Sequence, residues 1–200
     1  VVSMAPNGEM SGMRTALAMG AVKGVLVSDP ALAGSDALTT AKVLAAAIQK
    51  MGPVDLIIGA TESSDGYTGT VPEQIAELLG MPSITFAKKV EVSGTTLKVD
   101  RQSEAGYDEV ECQLPALISV TAGVVEPRYP SFKGIMAAKS KPVETFTASD
   151  LGVTATGWAG AGQKIVSVTQ AEARQAGEVV EDDGTAFEKI VTYLENLKVI

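Results

Sequence analysis

Asp55-Leu56-Ile57-Ile58-Gly59-Ala60-Thr61-Glu62-Ser63-Ser64-Asp65-Gly66-Tyr67-Thr68-Gly69-Thr70-Val71-Pro72 is the stretch on which the fold turns. Residues 56–58 are continuously apolar rather than alternating, as parallel strands covered on both faces tend to be. Pro72 suits the first turn of a helix, where its missing N–H costs nothing, and Gly80 is placed to end that helix. Strand, polar loop and helix in this order make one unit of an α/β sheet.

The same alternation extends toward the amino end. Val1-Val2-Ser3-Met4 reads as a buried strand entered abruptly, not as a targeting peptide. Met10, Met13, Ala16 and Leu17 recur at helical spacing between Gly8 and Met19, with Gly20 as the stop. Gly24-Val25-Leu26-Val27 is a second strand. Ser35 is expected to cap a long helix with a buried stripe of Leu38, Ala41, Val43, Leu44, Ala45 and Ile48, ended by Gly52-Pro53. The fold class is therefore α/β, an open and mostly parallel sheet of Rossmann or flavodoxin type.

After Pro82 the pattern changes. Residues 84–92, 95–103, 107–114 and 116–121 are short and β-branched, parted by Ser93-Gly94 and Ala105-Gly106 like hairpin turns. They predict an antiparallel ribbon over 84–121 that feeds back into the sheet. From Val143 the chain loosens around Trp158 and its neighbouring glycines. It ends in an amphipathic helix over 185–198 carrying Phe187, Ile190, Val191, Leu194 and Leu197. Domains are drawn accordingly: 1–142 as the α/β body, and 143–200 as an extended arm too small for its own core, of the kind that wraps a partner subunit.

Composition removes most chemistries. The 200 residues contain no His and one Cys, Cys112. Imidazole-based triads and zinc-protease motifs are absent, as are internal disulfides and cysteine-ligated zinc or iron–sulfur sites. Cys112 lies in an alternating strand and reads as a packed thiol. No catalytic or metal-ligating constellation stands out. A net charge of −8 argues against nucleic acid. No apolar run approaches the ~18 residues of a membrane span. A hydrophobic fraction of 46% and a mean hydropathy of +0.19 suggest instead a large contact surface with another subunit.

Two loops are candidates for function. In the stretch quoted first, Gly66 and Gly69 let backbone approach a ligand, and Ser63, Ser64, Thr68 and Thr70 add hydroxyls. The helix start at Pro72 offers unpaired N–H groups and a positive dipole end suited to phosphate. Asp65 and Glu62 would accept from ribose or backbone. The same residues would also make a turn whose hydroxyls simply cap the helix. The second loop is Val125-Glu126-Pro127-Arg128-Tyr129-Pro130-Ser131-Phe132-Lys133-Gly134-Ile135-Met136-Ala137-Ala138-Lys139. An aromatic among cations has the composition of a docking anchor, although residue types alone favour a solvated loop with Phe132 tucked inward.

Several motifs together resemble the electron transfer flavoprotein beta subunit. They are Arg14-Thr15-Ala16-Leu17-Ala18-Met19-Gly20-Ala21, the 59–72 loop, Leu114-Pro115-Ala116, Glu126-Pro127-Arg128-Tyr129 and Asp150-Leu151-Gly152-Val153. The order is kept along essentially the whole chain, and residues 154–183 match least. The resemblance implies one half of a heterodimer, without bond-making chemistry of its own. The alpha subunit would hold the redox FAD, take electrons from acyl-CoA and related dehydrogenases, and pass them to a membrane quinone oxidoreductase. This chain would hold AMP through Met4, Gly59, Thr61, Ser63, Ser64, Asp65, Gly66, Thr68, Gly69 and Thr70. It would dock dehydrogenases through Arg128, Tyr129, Phe132, Lys133, Ile135, Met136 and Lys139, in a recognition loop spanning 124–141. The implied location is the bacterial cytoplasm, or the mitochondrial matrix in a eukaryote.

Departures from the family matter too. Its opening strand and helix, on the order of 30 residues, have no counterpart here, so the chain reads as truncated or incompletely described. Electron-bifurcating members hold a second FAD in place of AMP. Their loop carries Gln and paired Asp where this chain has Thr61, Ser64, Gly66 and Gly69, which favours the single-flavin type. A stand-alone nucleotide-binding protein of the universal-stress type is the alternative from another class.

Overall fold

The computed structural model describes residues 1–173, 177 and 179–200. Its elements in chain order are β1 (Val2–Met4), α1 (Ser11–Ala18), β2 (Gly24–Val27), α2 (Ala37–Met51), β3 (Leu56–Ala60), α3 (Val71–Leu79), β4 (Ser83–Ser93), β5 (Thr96–Ser103), β6 (Gly106–Gln113), β7 (Ala116–Val120), α4 (Phe132–Ala138), β8 (Val143–Phe146), α5 (Gly157–Gly160) and α6 (Ala186–Asn196). Among the described residues the strands form two sheets, ordered β1-β2-β8 and β3-β7-β4-β5-β6. The first is parallel throughout, with Val2 opposite Val25 and Val25 opposite Glu144. In the second, β3, β7 and β4 run parallel, while β4, β5 and β6 form the antiparallel ribbon. The expected fold class holds, with the sheet divided in two.

The continuous apolar pattern has a clear structural meaning at β2 and β7. Val25, Leu26, Val27, Leu117 and Ile118 are all buried, because each strand lies in the middle of its sheet with chain on both faces. β3 looks the same in sequence but stands at a sheet edge. Ile58 is 63% exposed there, so the expectation of a strand covered on both faces fails. An apolar run reports strand character and does not report position in the sheet.

α2 reaches both sheets. Val43 and Ala47 pack with Val25, Val27 and Leu32, while Ala41, Ala45 and Ile48 pack with Ile75, Ala76 and Leu117. Its N-cap is Asp36, not Ser35. Asp36 Oδ1 accepts from the Thr39 N–H at 2.9 Å, and Oδ2 accepts from the Gly162 N–H at 2.7 Å. Ser35 is used otherwise: its hydroxyl donates to the Leu32 carbonyl and accepts from the Gly157 N–H. A serine and an aspartate in succession both satisfy the capping preference, and only the backbone geometry chooses between them.

Packing divides the chain at 164/165, and residues 143–164 go with the α/β body. The first compact unit is Val1–Lys164 and the second Ile165–Ile200. β8 pairs with β2, and Phe146, Leu151 and Val153 pack on the same core as Val25 and Val27. Residues 154–162 continue along the start of α2, where Gly157 has φ +59 and a Cβ there would lie 2.3 Å from the Ala31 carbonyl oxygen. What reads as a loose, glycine-rich strap is a segment whose glycines permit close backbone packing. The second unit contains α6, with Phe187, Ile190, Val191, Tyr193 and Leu197 exposed. Residues 174–176 and 178 of the expected arm lie outside the described residues.

The Thr39 N–H and hydroxyl hold the Asp36 carboxyl below its usual range. A carboxylate depressed in the folded state stabilises above its unfolded pKa, and that contribution disappears as pH falls through the folded value. Asp36→Ala should cost about 0.5–2 kcal/mol. Asp36→Asn should retain much of the cap but flatten the acid limb of stability. Urea midpoints measured from neutral pH to below the carboxylate range check both, and identical pH profiles for wild type and Asp36→Asn would contradict the assignment.

Candidate functional site

Parallel strands direct their carboxyl ends to one rim, where α/β proteins place ligands. Here β1 ends at Met4 and β3 at Ala60, and the two strands do not pair with each other. Between them lies a cavity of about 720 Å³. β1 contributes Val2, Ser3 and Met4, and β3 contributes Ile57, Ile58, Gly59 and Ala60. The loop after β3 closes it with Thr61, Glu62, Ser63, Asp65, Gly66, Thr68 and Gly69. This volume is within the range of small-molecule sites.

The local conformation follows from the residue types. Gly59 has no Cβ, and one placed there would meet the Pro72 ring at 3.4 Å, so the strand end and helix start lie against each other. Thr61 Oγ1 donates to the Val120 carbonyl at 3.0 Å, tying the loop to the neighbouring strand. The Tyr67 N–H returns to the Ser63 carbonyl at 3.1 Å, closing the turn. Tyr67 and Gly69 both have positive φ, +49 and +64. Gly69 takes that conformation at no steric cost, and Tyr67 takes it under strain.

The electrostatics divide the site. Thr70 is the N-cap of α3 but makes no side-chain capping bond, and Pro72 follows in the first turn. The Val71 and Glu73 N–H groups thus receive no bond from the cap side chain at the positive end of the helix dipole, and Pro72 has no N–H to satisfy. The Ser63 hydroxyl holds Asp65 below the usual carboxylate range, so Asp65 is an acceptor at neutral pH. Glu73 stands in the same first turn, and Glu73 Oε2 and Gln74 Oε1 are buried without hydrogen-bond partners. The cavity thus combines hydroxyls and acidic acceptors with an apolar wall.

Of the residues expected from sequence, Met4, Gly59, Thr61, Ser63, Asp65, Gly66, Thr68 and Gly69 line the cavity, and Ser64 and Thr70 do not. The start of α2 was missed: Ser35, Asp36, Ala37 and Thr40 form a facing wall. Its signal was present, because a helix start following a parallel strand lies at the same rim as the loop after β3.

A second surface is built around α4. Ser131 caps the helix by accepting from the Gly134 N–H at 3.1 Å, so Phe132 opens the first turn. Phe132 is 81% exposed and Tyr129 91%. Ile135 and Met136, three and four residues on from Phe132, are exposed as well and share its face. Lys133 and Lys139 are exposed, while Arg128 Nη2 leans back to the Met19 carbonyl at 3.5 Å. Contiguous exposed apolar residues rimmed by charge mark interaction sites. Cys112 is partly buried in β6, and burial pushes its thiol up, away from reactivity. Among the described residues no cluster of His, Cys, Asp and Glu is grouped to hold a metal, and no helix is long and apolar enough to cross a membrane.

Relatives share this chain's sequence over its full length. The electron transfer flavoprotein domain family matches residues 1–151. The electron transfer flavoprotein subunit beta of Mycobacterium tuberculosis is 41% identical across 100% of this chain and 76% of its own length. That of Thermoanaerobacterium thermosaccharolyticum is 38% identical over 98% of this chain and 76% of its own length. Subunit CarD of the caffeyl-CoA reductase-Etf complex of Acetobacterium woodii is 37% identical over 77% of this chain and 59% of its own length. The chain therefore belongs to the electron transfer flavoprotein family, aligned throughout with its beta subunits.

Proposed function

We propose that this chain is the beta half of a heterodimeric electron transfer flavoprotein, combining a structural nucleotide site with a dehydrogenase-docking surface. The observation that supports the reading is that the cavity between β1 and β3 and the exposed apolar face of α4 lie on one α/β unit. The alpha subunit would hold the FAD, which supplies the electron-accepting chemistry when bound. Acyl-CoA and related dehydrogenases would donate, and a membrane quinone oxidoreductase would accept. The chain itself would work in the bacterial cytoplasm and make no bonds.

AMP is the nucleotide that suits the cavity between β1 and β3. The uncapped start of α3 would receive the phosphate, with Ser63 and Thr68 as hydroxyl donors. Asp65 would accept from ribose, and Met4 and Val2 offer apolar surface to the base. Held there, the group would supply charge and shape rather than redox chemistry. A second reading has a specific basis: the relative from Acetobacterium woodii is named as part of a reductase complex. In that reading the site would take a second FAD. The sequence at Thr61, Ser64, Gly66 and Gly69 favours AMP.

Three experiments test these roles. Acid extraction of the purified heterodimer should release close to one AMP and one FAD per dimer. Thr70→Asp should lower the AMP while leaving FAD in place, because Asp is a good N-cap but brings negative charge to the phosphate. Two FAD per dimer, or no adenine nucleotide besides FAD, would overturn the AMP assignment.

Burial of a Phe side chain is worth ~1.5–3 kcal/mol, so Phe132→Ala should raise the KM for a dehydrogenase roughly 10- to 100-fold. Flavin content and thermal stability should hardly move, since Phe132 lies outside the core. An unchanged KM would remove Phe132 from the docking role.

The exposed stripe of α6 is proposed to lie against the alpha subunit. Deleting residues 184–200 should leave a folded Val1–Lys164 unit that no longer retains the alpha subunit on a column. Full-affinity heterodimer from the truncated chain would refute this contact.

A further inference from the structure

α4 has only seven residues, and helices that short do not persist alone in water. It nevertheless carries Phe132, Ile135 and Met136 on one exposed face. Something else must keep it helical, and that is α1.

The two helices meet more closely than side chains normally permit. A Cβ on Gly134 would lie 2.3 Å from the Ala18 carbonyl oxygen, so the backbones touch where Gly134 leaves room. Met13, Leu17, Leu26 and Ala138 fill the seam, with Val143 beside them. Neither helix has a basic residue in its own last turn. Each borrows one from the other side. Arg14 of α1 donates through Nη1 to the Ala138 carbonyl at the end of α4, at 2.8 Å. Lys141, just past α4, donates through Nζ to the Leu17 carbonyl in the last turn of α1 and to the Ala21 carbonyl in the connection after it, both at 2.7 Å. All three bonds are partly buried, where cations at helix C-termini count most. The exchange is reciprocal.

We propose that Arg14, Gly134 and Lys141 are positioning residues of the docking surface, bracing α4 on α1 so that Phe132, Ile135 and Met136 form a preorganised ridge before any partner arrives. The inference rests on the docking reading above and goes beyond it, since none of the three residues belongs to the exposed anchor. A helix ordered beforehand spares the complex the entropy of ordering it on binding. Loss of the brace therefore weakens docking without removing any contact atom.

The test uses the intact heterodimer and an acyl-CoA dehydrogenase that reduces the wild type. Lys141→Gln and Arg14→Gln should each speed amide exchange across residues 135–138 and raise the KM for the dehydrogenase severalfold, with kcat at saturation, FAD content and AMP content unchanged. Lys141→Arg keeps the cation and should stay near wild type. Gly134→Ala alters no charge and should show the same two effects by forcing the helices apart. Faster exchange with unchanged KM would overturn the inference, and so would unchanged exchange. Phe132→Ala run in parallel separates the two ideas. If Phe132→Ala raises KM and the brace variants do not, the brace alone fails. If Phe132→Ala is silent, the docking reading fails and the positioning role falls with it, whatever the exchange shows.

Discussion

The burial of α2 on two sides is the constraint from which the rest of the first unit follows. Among the described residues β1 bonds only to β2 and β3 only to β7, so no ladder of hydrogen bonds there sets the distance between the two sheets. α2 sets it. Its small residues Ala41, Ala45 and Ala47 let both sides approach, and Val2 of β1 packs into both clusters. Alanine is the best helix former and loses no side-chain entropy on burial. A helix pinned in this way presents Ser35 and Asp36 over the rim opposite the loop after β3. The cavity is a by-product of how the layers are held apart.

Residues 154–162 reinforce that placement. Asp36 caps α2 with one oxygen and holds Gly162 with the other, and the Thr39 hydroxyl donates to the Gly160 carbonyl at 3.2 Å. The end of the compact unit is thereby tied to the helix start that forms one wall of the candidate site. Lys50 adds a further tie, donating to the Asp150 carbonyl at 2.8 Å while lying 5.0 Å from the centre of the Phe146 ring.

Charge is distributed unevenly. In a chain with net charge −8, Arg128, Lys133, Lys139 and Lys141 fall within or beside α4. Structure divides them by task. Lys141 and Arg128 turn inward to carbonyls of α1 and its end. Lys133 and Lys139 remain at the surface, without an ion pair among the described residues. In the docking proposed above, exposed charges of this kind would guide encounter and orientation, and the apolar face of α4 would supply most of the affinity.

Much of this was legible in the residues themselves. Apolar periodicity located β2, β3, β7, α2 and α3 to within about two residues, and the glycine turns at Gly94 and Gly106 placed the ribbon. Local chemistry also marked the loop of residues 59–70. These features depend on neighbours in sequence, whereas the exposure of Phe132 does not, since residue types alone favour tucking it inward. Tertiary structure decided what depends on distant neighbours. It divided the strands into two sheets, put Ile58 at an edge, chose Asp36 over Ser35 as the cap, and drew residues 143–164 into the first core. It also set Ala18 against Gly134 and exchanged Arg14 and Lys141 between two helix ends. The physical reason is common to all of these. A strand's apolar run, a capping residue or a lone cation has several partners it could satisfy, and only packing of the whole chain selects one.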